Sequence, residues 1–455
     1  MEKNIIQKPS TLFRHVSLPN GKSLVPLLFG FCVIVFFPTF FNDFQLAWDD
    51  TWQLLENPLV HDISFDYIFY HFTHFWHQQY SPVNSIFYSG IVLLFGMKAT
   101  VFHSACLLIH VCNTMLVYGI VRKLVLRFLP SAPNSKINAF GFFTALIFAI
   151  HPLQVESVAW ISASKILLYA FFTLTALWCY IRYIRTMHFP WLIAVGLAYA
   201  IGFGSKEQAI ILPLNLMLFD YVFGRFKDLT WKNTLTSRVL LEKTPFLLLA
   251  LAFWYFSWIN NNVGINPDVG YPFYQRFIFG MHSFVEYIFR FLAPAKLYFF
   301  HPFPISPGES LPLYYWGYLV LVGIIGYFVW DNYRKGNQLV VFGFLFFLIN
   351  LLLVLHIIPL PRPVISADRY MYLSMAGIAL VLVWQLDQWL TSHTKAKVPL
   401  LAVCCTWFLF LGIQTYFRTA DWKDSESTKS NVIELIDKKR EAEATDPLFN
   451  LIEYE

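Results

Sequence analysis

The chain has 455 residues, of which 57% are hydrophobic and only 13% charged, with a formal net charge of +5. A soluble domain is roughly half apolar and a quarter charged, so this balance excludes an ordinary water-soluble protein and points to a polytopic membrane protein. The modest positive charge gives no sign of a nucleic-acid partner; in such a chain the placement of charge matters more than its sum.

Apolar stretches of about 20 residues, enough to cross a hydrocarbon core of roughly 30 Å, recur from Ser23 to Phe417. Lys3, Lys8, Arg14 and Lys22 precede the first of them (23–41), which places the N-terminus in the cytoplasm by the positive-inside rule. No small-residue cleavage site follows, so this stretch reads as a retained helix. An external loop over 42–82 comes next, rich in Phe, Tyr, Trp and His, and 65–80 suits a helix lying in the interface. The apolar run 82–96 is short for a span and is expected to be partly inserted.

Further spans are expected at 99–121, 139–150, 166–181, 190–203, 208–223 and 244–259, with basic residues on the cytoplasmic sides. The run 277–300 carries Glu286 and Arg290 as i,i+4 neighbours in its middle, costly in lipid unless paired and facing a cavity. A re-entrant segment there keeps the sidedness consistent, and spans at 313–330, 339–357, 371–389 and 398–416 complete a bundle of about eleven helices. The expected organisation is an all-α membrane domain over 1–418 and a short external helical tail over 419–455. All six cysteines fall in apolar runs and read as small core hydrophobes.

On this topology Asp49, Asp50, His151, Glu156, Lys165, Lys206, Glu207, Arg362, Asp368 and Arg369 gather on the external face, at or near helix ends. A polar loop leaving a membrane accounts for any one of them. Their concentration beside prolines and apolar runs instead suits a cavity for a substrate with an anionic group and a hydroxyl to be deprotonated. Asp49 and Asp50 stand just after the first span, where a carboxylate can take a proton from an acceptor brought to the surface. Arg362 lies between Pro361 and Pro363, held with little conformational freedom and suited to gripping a phosphate. His71, His74 and His77 are spaced for one side of a helix, as metal ligands can be, but scattered interfacial histidines give the same pattern. His103 and His110 share a helix face and read as hydrogen-bonded core histidines. No Gly-rich phosphate loop, HExxH or GxSxG motif is present.

The run from His151 to Ser162, HPLQVESVAWIS, resembles the HPLHVESVAWIS stretch of bacterial membrane proteins that carry tetratricopeptide repeats. These are similar to the eukaryotic transmembrane and tetratricopeptide-repeat-containing O-mannosyltransferases. Trp48-Asp49-Asp50, Asn57-Pro58, Pro82, Phe95-Gly96, His103 with His110 and Asn113, Lys206-Glu207, Asp220-Tyr221 and the run from Asp368 to Leu373 agree in order, so the resemblance covers about residues 40–440. Three features depart from it: Ala163-Ser164-Lys165-Ile166 stands where relatives read ERKD, Ser81 precedes the loop proline, and the repeats are missing after Arg418.

The resemblance implies a polytopic glycosyltransferase of the C-type fold, taking a sugar from a polyprenyl-phosphate donor on the non-cytoplasmic side of a bacterial inner membrane. It places the catalytic acid at Asp49 or Asp50, with inversion at the anomeric centre and cations neutralising the departing phosphate. The acceptor expected is a protein Ser or Thr hydroxyl or a glycan or glycolipid. No required cofactor is read; a divalent cation is the one option left open. A lipid-linked substrate transporter or flippase, or a non-catalytic scaffold, are the other classes compatible with a charged external face.

Overall fold

The computed structural model of the chain describes residues 21–77, 79–226, 237–261, 270–295, 297, 301–358, 364–393, 397–430 and 433. It is all-helical apart from one short two-stranded pairing. The element bounds are α1 Gly21–Val35, α2 Phe65–Thr73, α3 Pro82–Phe95, α4 Ala99–Phe128, α5 Asn134–Ile150, α6 Val155–Ala159, α7 Ser164–Thr186 and α8 Phe189–Ser205. These are followed by α9 Leu212–Val222, α10 Arg238–Leu241, α11 Thr244–Asn261, α12 Phe273–Leu292, α13 Gly317–Arg334, α14 Gln338–Leu351, α15 Met371–Ser392 and α16 Lys397–Ala420. Strand β1 (His301–Pro302) pairs antiparallel with β2 (Val364–Ser366), His301 opposite Ser366.

Six helices among the described residues are long and apolar enough to cross a membrane, or seven if α5 and the segment Pro152–Ala159, bent from it by 57°, form one broken span. The expected count of about eleven is therefore not reached on length. The helices at 21–35 and 338–351 end before the apolar runs 23–41 and 339–357 do, and that at 189–205 has only 17 residues. At the first, Pro38 lies in a tight 3₁₀ turn, Phe37–Phe41, so the apolar run continues past the helix end. The interfacial helix expected over 65–80 stops at Thr73, and His77 then takes a left-handed backbone conformation (φ 46°) in a turn.

Helices α4, α5, α7 and α15 supply nearly half of the buried core, with α7 packed along α8 and α14 along α15. By contrast the apolar spans containing α13 and α16 are only 6% and 11% buried, as faces turned to lipid would be. A polar seam crosses the core. His110 Nε2–H donates to Ala149 O at 3.1 Å, its Nδ1 pairs with Tyr372 OH at 2.8 Å, and Asn113 Nδ2 donates to Tyr372 OH and Leu167 O, both at 3.0 Å. His110 is thus the hydrogen-bonded core histidine expected from its spacing; it ties three helices together, and Asn113 adds α7 as a fourth. Such bonds in a membrane core are worth about 0.6 kcal/mol each, so His110→Phe is expected to lower stability by about 1 kcal/mol, read by thermal melting in lipid nanodiscs.

At the far end of α7, Asp220 accepts from Tyr180 OH (2.6 Å), Arg225 (3.0 Å) and Lys243 (2.7 Å). Glu242 pairs with Arg225 at 2.7 Å and Arg238 at 3.0 Å. Arg225 and Lys243 are therefore locked in a buried ion network with the exposed Arg238 at its edge, while Lys227 and Lys232 lie outside the described residues. The opposite end of the bundle carries the candidate site.

Candidate active site

Asp49 and Asp50 lead into one wide helical turn, Thr51–Leu55, and not into the extended segment that would send them to opposite sides. On a helical turn successive side chains are about 100° apart, and here that separates a buried carboxylate from a half-exposed one. Asp50 is fully buried. Its Oδ2 accepts from the Gln45 backbone N–H at 2.9 Å, and its Oδ1 accepts from the backbone N–H of Ser162 at 2.9 Å and from the Ser162 hydroxyl. Burial pushes its acid up to about 6, against the lowering pull of these donors. Asp49 accepts from Trp52 Nε1 (3.3 Å) and Gln53 Nε2 (3.1 Å) and lies within electrostatic reach of Arg369.

The loop is held by the chain's other end. Asn42 donates to Thr419 O at 3.0 Å, Gln45 to Trp422 O at 2.8 Å, the Asp43 backbone N–H to Lys423 O at 2.7 Å, and Thr428 to Gln45 Oε1 at 2.9 Å. The segment after α16 thus clamps the loop that carries the acids, a contact spanning nearly the whole sequence. Residues 434–455 of the expected tail lie outside the described residues.

Residues 151–162 form a buried knuckle beneath this loop. It turns through the 3₁₀ segment Pro152–Gln154, α6 and Ile161–Ala163 before α7 begins. His151 opens it, and both ring nitrogens are occupied: Nε2–H donates to Phe291 O at 2.9 Å and Nδ1 accepts from the Leu153 N–H at 3.2 Å. This histidine anchors the bend and leaves neither nitrogen for a ligand. Glu156, also buried, takes the Arg369 backbone N–H at 2.8 Å and the Arg369 guanidinium. That guanidinium lies over the rings of Trp160 (5.6 Å) and Tyr370 (5.1 Å), and Trp160 in turn stacks on Trp422 at 5.4 Å. The knuckle, the start of α15 and the C-terminal clamp therefore meet around one arginine within electrostatic reach of Asp49.

A second ionic group adjoins it. Asp368 is buried and accepts from Arg418 Nη2 at 2.6 Å, with His301 Nε2 at 3.8 Å and Arg290 Nη1 at 3.9 Å. Arg290 also donates to Ser366 Oγ at 3.1 Å and lies 3.8 Å from Glu286, the pair expected from its spacing. The β1–β2 pairing brings His301 beside Asp368, and α12 packs on β2 so that Arg290 reaches Ser366. Arg418 is only 8% exposed, yet its Nε and Nη1 have no partner. It lines a cavity of ≈ 260 Å³ with Pro294, Ala295, Leu297, Gln414, Phe417 and Asp421. Arg290, His301 and Arg418 were not singled out by sequence as anion ligands. Arg418 reads there only as the end of the last apolar run.

Lys165, at the start of α7, donates to Gln79 Oε1 at 2.7 Å. Lys206 and Glu207 follow α8, which packs along α7, so they sit at the same end of the bundle. Gly204 lets the end of α8 approach the start of α3: a β-carbon there would stand 3.0 Å from Val83 Cγ2 and 3.4 Å from Pro82 Cγ. Lys206 is 6% exposed and Glu207 half-buried. Arg362 lies outside the described residues. Among the described residues no three His, Cys, Asp or Glu side chains are grouped to hold a metal ion. His71 and His74 line a pocket, while His77 packs against the rings of Trp52 (5.0 Å) and Trp76 (5.1 Å).

No protein-family model matches the chain, and no curated protein matches it.

Proposed function

We propose that the chain is a membrane glycosyltransferase with a C-type bundle of about eleven spans, moving a sugar from a polyprenyl-phosphate donor to an acceptor hydroxyl on the non-cytoplasmic face. The observation that carries this reading is the division of labour at Asp49 and Asp50. One carboxylate is consumed by three donors and fixes the loop; its neighbour is half-buried, held by two side-chain donors and within electrostatic reach of an arginine. A general base needs that freedom to reach a substrate proton.

In this mechanism the acceptor oxygen attacks the anomeric carbon, the bond from that carbon to the phosphate oxygen breaks, and the hydroxyl proton passes to Asp49. The polyprenyl phosphate leaves with the electron pair, and attack opposite the leaving group inverts the centre. Arg369 is aligned by Glu156 and by the ring faces of Trp160 and Tyr370. Arg418, with two buried donor atoms unused beside a cavity, is the group best able to take up phosphate charge.

The buried ionic group around Asp368 also suits a carrier of lipid-linked substrates, so the test must separate the two. The full chain in lipid nanodiscs is expected to release polyprenyl phosphate from a polyprenyl-phosphate hexose only when a hydroxyl acceptor is present. No turnover with any such donor, combined with movement of the intact lipid between leaflets in proteoliposomes, would sink the transferase and leave the carrier.

A further inference from the structure

At the end of the bundle away from Asp49, basic residues are matched by carboxylates: Lys136 pairs with Asp387 at 2.9 Å, Arg225 and Lys243 pair with Asp220, and Lys335 pairs with Asp331. The last turns of α4 and α7 break this pattern. Lys123 and Arg127 on α4 and Arg182 and Arg185 on α7 are four cations, and among the described residues no carboxylate pairs with any of them. Arg127 donates to the Phe223 carbonyl at 3.4 Å, and beside Lys123 stand Arg182, Arg185 and the thiol of Cys179.

One indole joins the two helices here. At Gly119 on α4 a β-carbon would stand 2.5 Å from Trp178 Cζ3, so the missing side chain lets the ring of α7 lie against α4. Lys123, one turn further along α4, sets its ammonium 3.5 Å from the centre of that ring, with Nζ buried and without a hydrogen-bond acceptor. A ring face attracts a cation but brings no negative charge of its own. The field of Lys123 therefore adds to that of Arg182 and Arg185, which are both exposed. The helix ends do not cancel it. Each C-terminus is equivalent to about −0.5 of a charge, so the two offset about one positive charge and leave about three.

The position suits a lipid headgroup. With 30 residues at about 1.5 Å each, α4 is about 45 Å long, more than the roughly 30 Å of a hydrocarbon core, so it reaches into the headgroup layer. Exposed apolar side chains border the cations: Leu126, 46% exposed, adjoins Arg127, and Phe189, 65% exposed, follows Arg185 by four positions. Such a border gives acyl chains a place below a bound phosphate and offers a soluble anion nothing. We infer that the ends of α4 and α7 form a docking site for the phosphate of an anionic phospholipid, gripped by Arg182 and Arg185 within the field of Lys123. This lipid site goes beyond the glycosyltransferase reading and does not rest on it.

The test uses the full chain in detergent micelles, titrated with dioleoylphosphatidylglycerol or dioleoylphosphatidylcholine, with bound lipid counted by native mass spectrometry. The phosphatidylglycerol is expected to bind about tenfold more tightly than the phosphatidylcholine, and the Arg182→Gln/Arg185→Gln double variant to lose that preference. Arg238→Gln/Lys335→Gln removes the same charge from two exposed positions at the same end of the bundle and is expected to keep it. Thermal melting confirms that each variant is folded, and Lys123→Met, which keeps the stem over Trp178, takes the place of the double variant should that one not fold. Equal binding of the two lipids by the parent overturns the proposal, as does a preference retained in the folded double variant or lost equally in the control. Displacement of bound phosphatidylglycerol by sodium pyrophosphate at matching concentration would also overturn it, since the site would then belong to a soluble anion.

Discussion

Asp49→Asn is expected to lower sugar transfer roughly 10²- to 10⁴-fold, the usual worth of a positioned general base, with melting within about 0.5 kcal/mol of the parent because the side chain is half-exposed. Asparagine keeps an acceptor oxygen for one of the two donors, Trp52 or Gln53, and because Asp49 is only partly buried its new N–H₂ can turn to water, so the loop stays in place while the proposed base is lost. Asp50→Asn should behave in the opposite way. Its carboxylate meets donors on both oxygens, so either orientation of the new amide sets a buried N–H₂ against an N–H, at a cost of about 1–3 kcal/mol.

A pH arm separates the pair further. Burial raises the Asp50 acid to about 6, above the ordinary value near 3.9, so the folded state holds this proton more tightly than the unfolded chain does. The stability from this group is full below pH of about 4 and is lost as the pH rises through 6, a difference of about 3 kcal/mol. Acidifying from pH 7 to 5 should therefore raise the melting temperature of the parent relative to Asp50→Asn. A gap between the two that does not change with pH would mean that Asp50 is not the buried acid described, and full transfer by Asp49→Asn would remove the base.

The long apolar runs and the one-sided gathering of ionisable residues are legible because hydropathy and charge are local properties. The Glu286–Arg290 pair and the core role of His110 are legible for the same reason, since helical spacing alone sets the first and makes the second the ordinary expectation. What decides between Asp49 and Asp50 is not local. Ser162, which satisfies Asp50, is 112 positions away, and the partners of Asn42 and Gln45 are 377 positions away. No periodicity encodes contacts at that range. Arg418 escapes notice because an arginine after an apolar run usually marks a membrane edge; only the fold shows it turned inward onto Asp368. The span count is less legible for a different reason. An apolar run reports burial, in lipid or against protein, and says nothing of where the helix within it ends.

The crossing of α14 and α15 gives the largest structural prediction. At Gly343 a β-carbon would lie 2.6 Å from Gly377 O and 2.8 Å from Val381 Cγ2. At Gly377 it would run into the Gly343 carbonyl oxygen and lie 2.8 Å from the backbone nitrogen of Phe347. The obstacles are mostly main chain, which cannot rotate aside as a side-chain tip can, so the helices must move apart. Small residues let helix backbones touch in this way in membranes, where packing replaces the hydrophobic drive. Gly377→Ala is therefore expected to cost about 3 kcal/mol, the upper end for an overpacked core, read as a lowered melting temperature in nanodiscs. Gly326 on α13 has nothing within 4 Å of its would-be β-carbon, so Gly326→Ala should be neutral or stabilising by up to about 1 kcal/mol from helix propensity alone. The residue type and the substitution are the same, and only the crossing makes the signs differ. Because Asp368 and Arg369 immediately precede α15 and Tyr372 lies in its first turn, moving that helix should also reduce transfer in Gly377→Ala, and Gly343→Ala should reproduce both losses. If Gly377→Ala melts with Gly326→Ala, the two helices are not in backbone contact and this account of the bundle core fails.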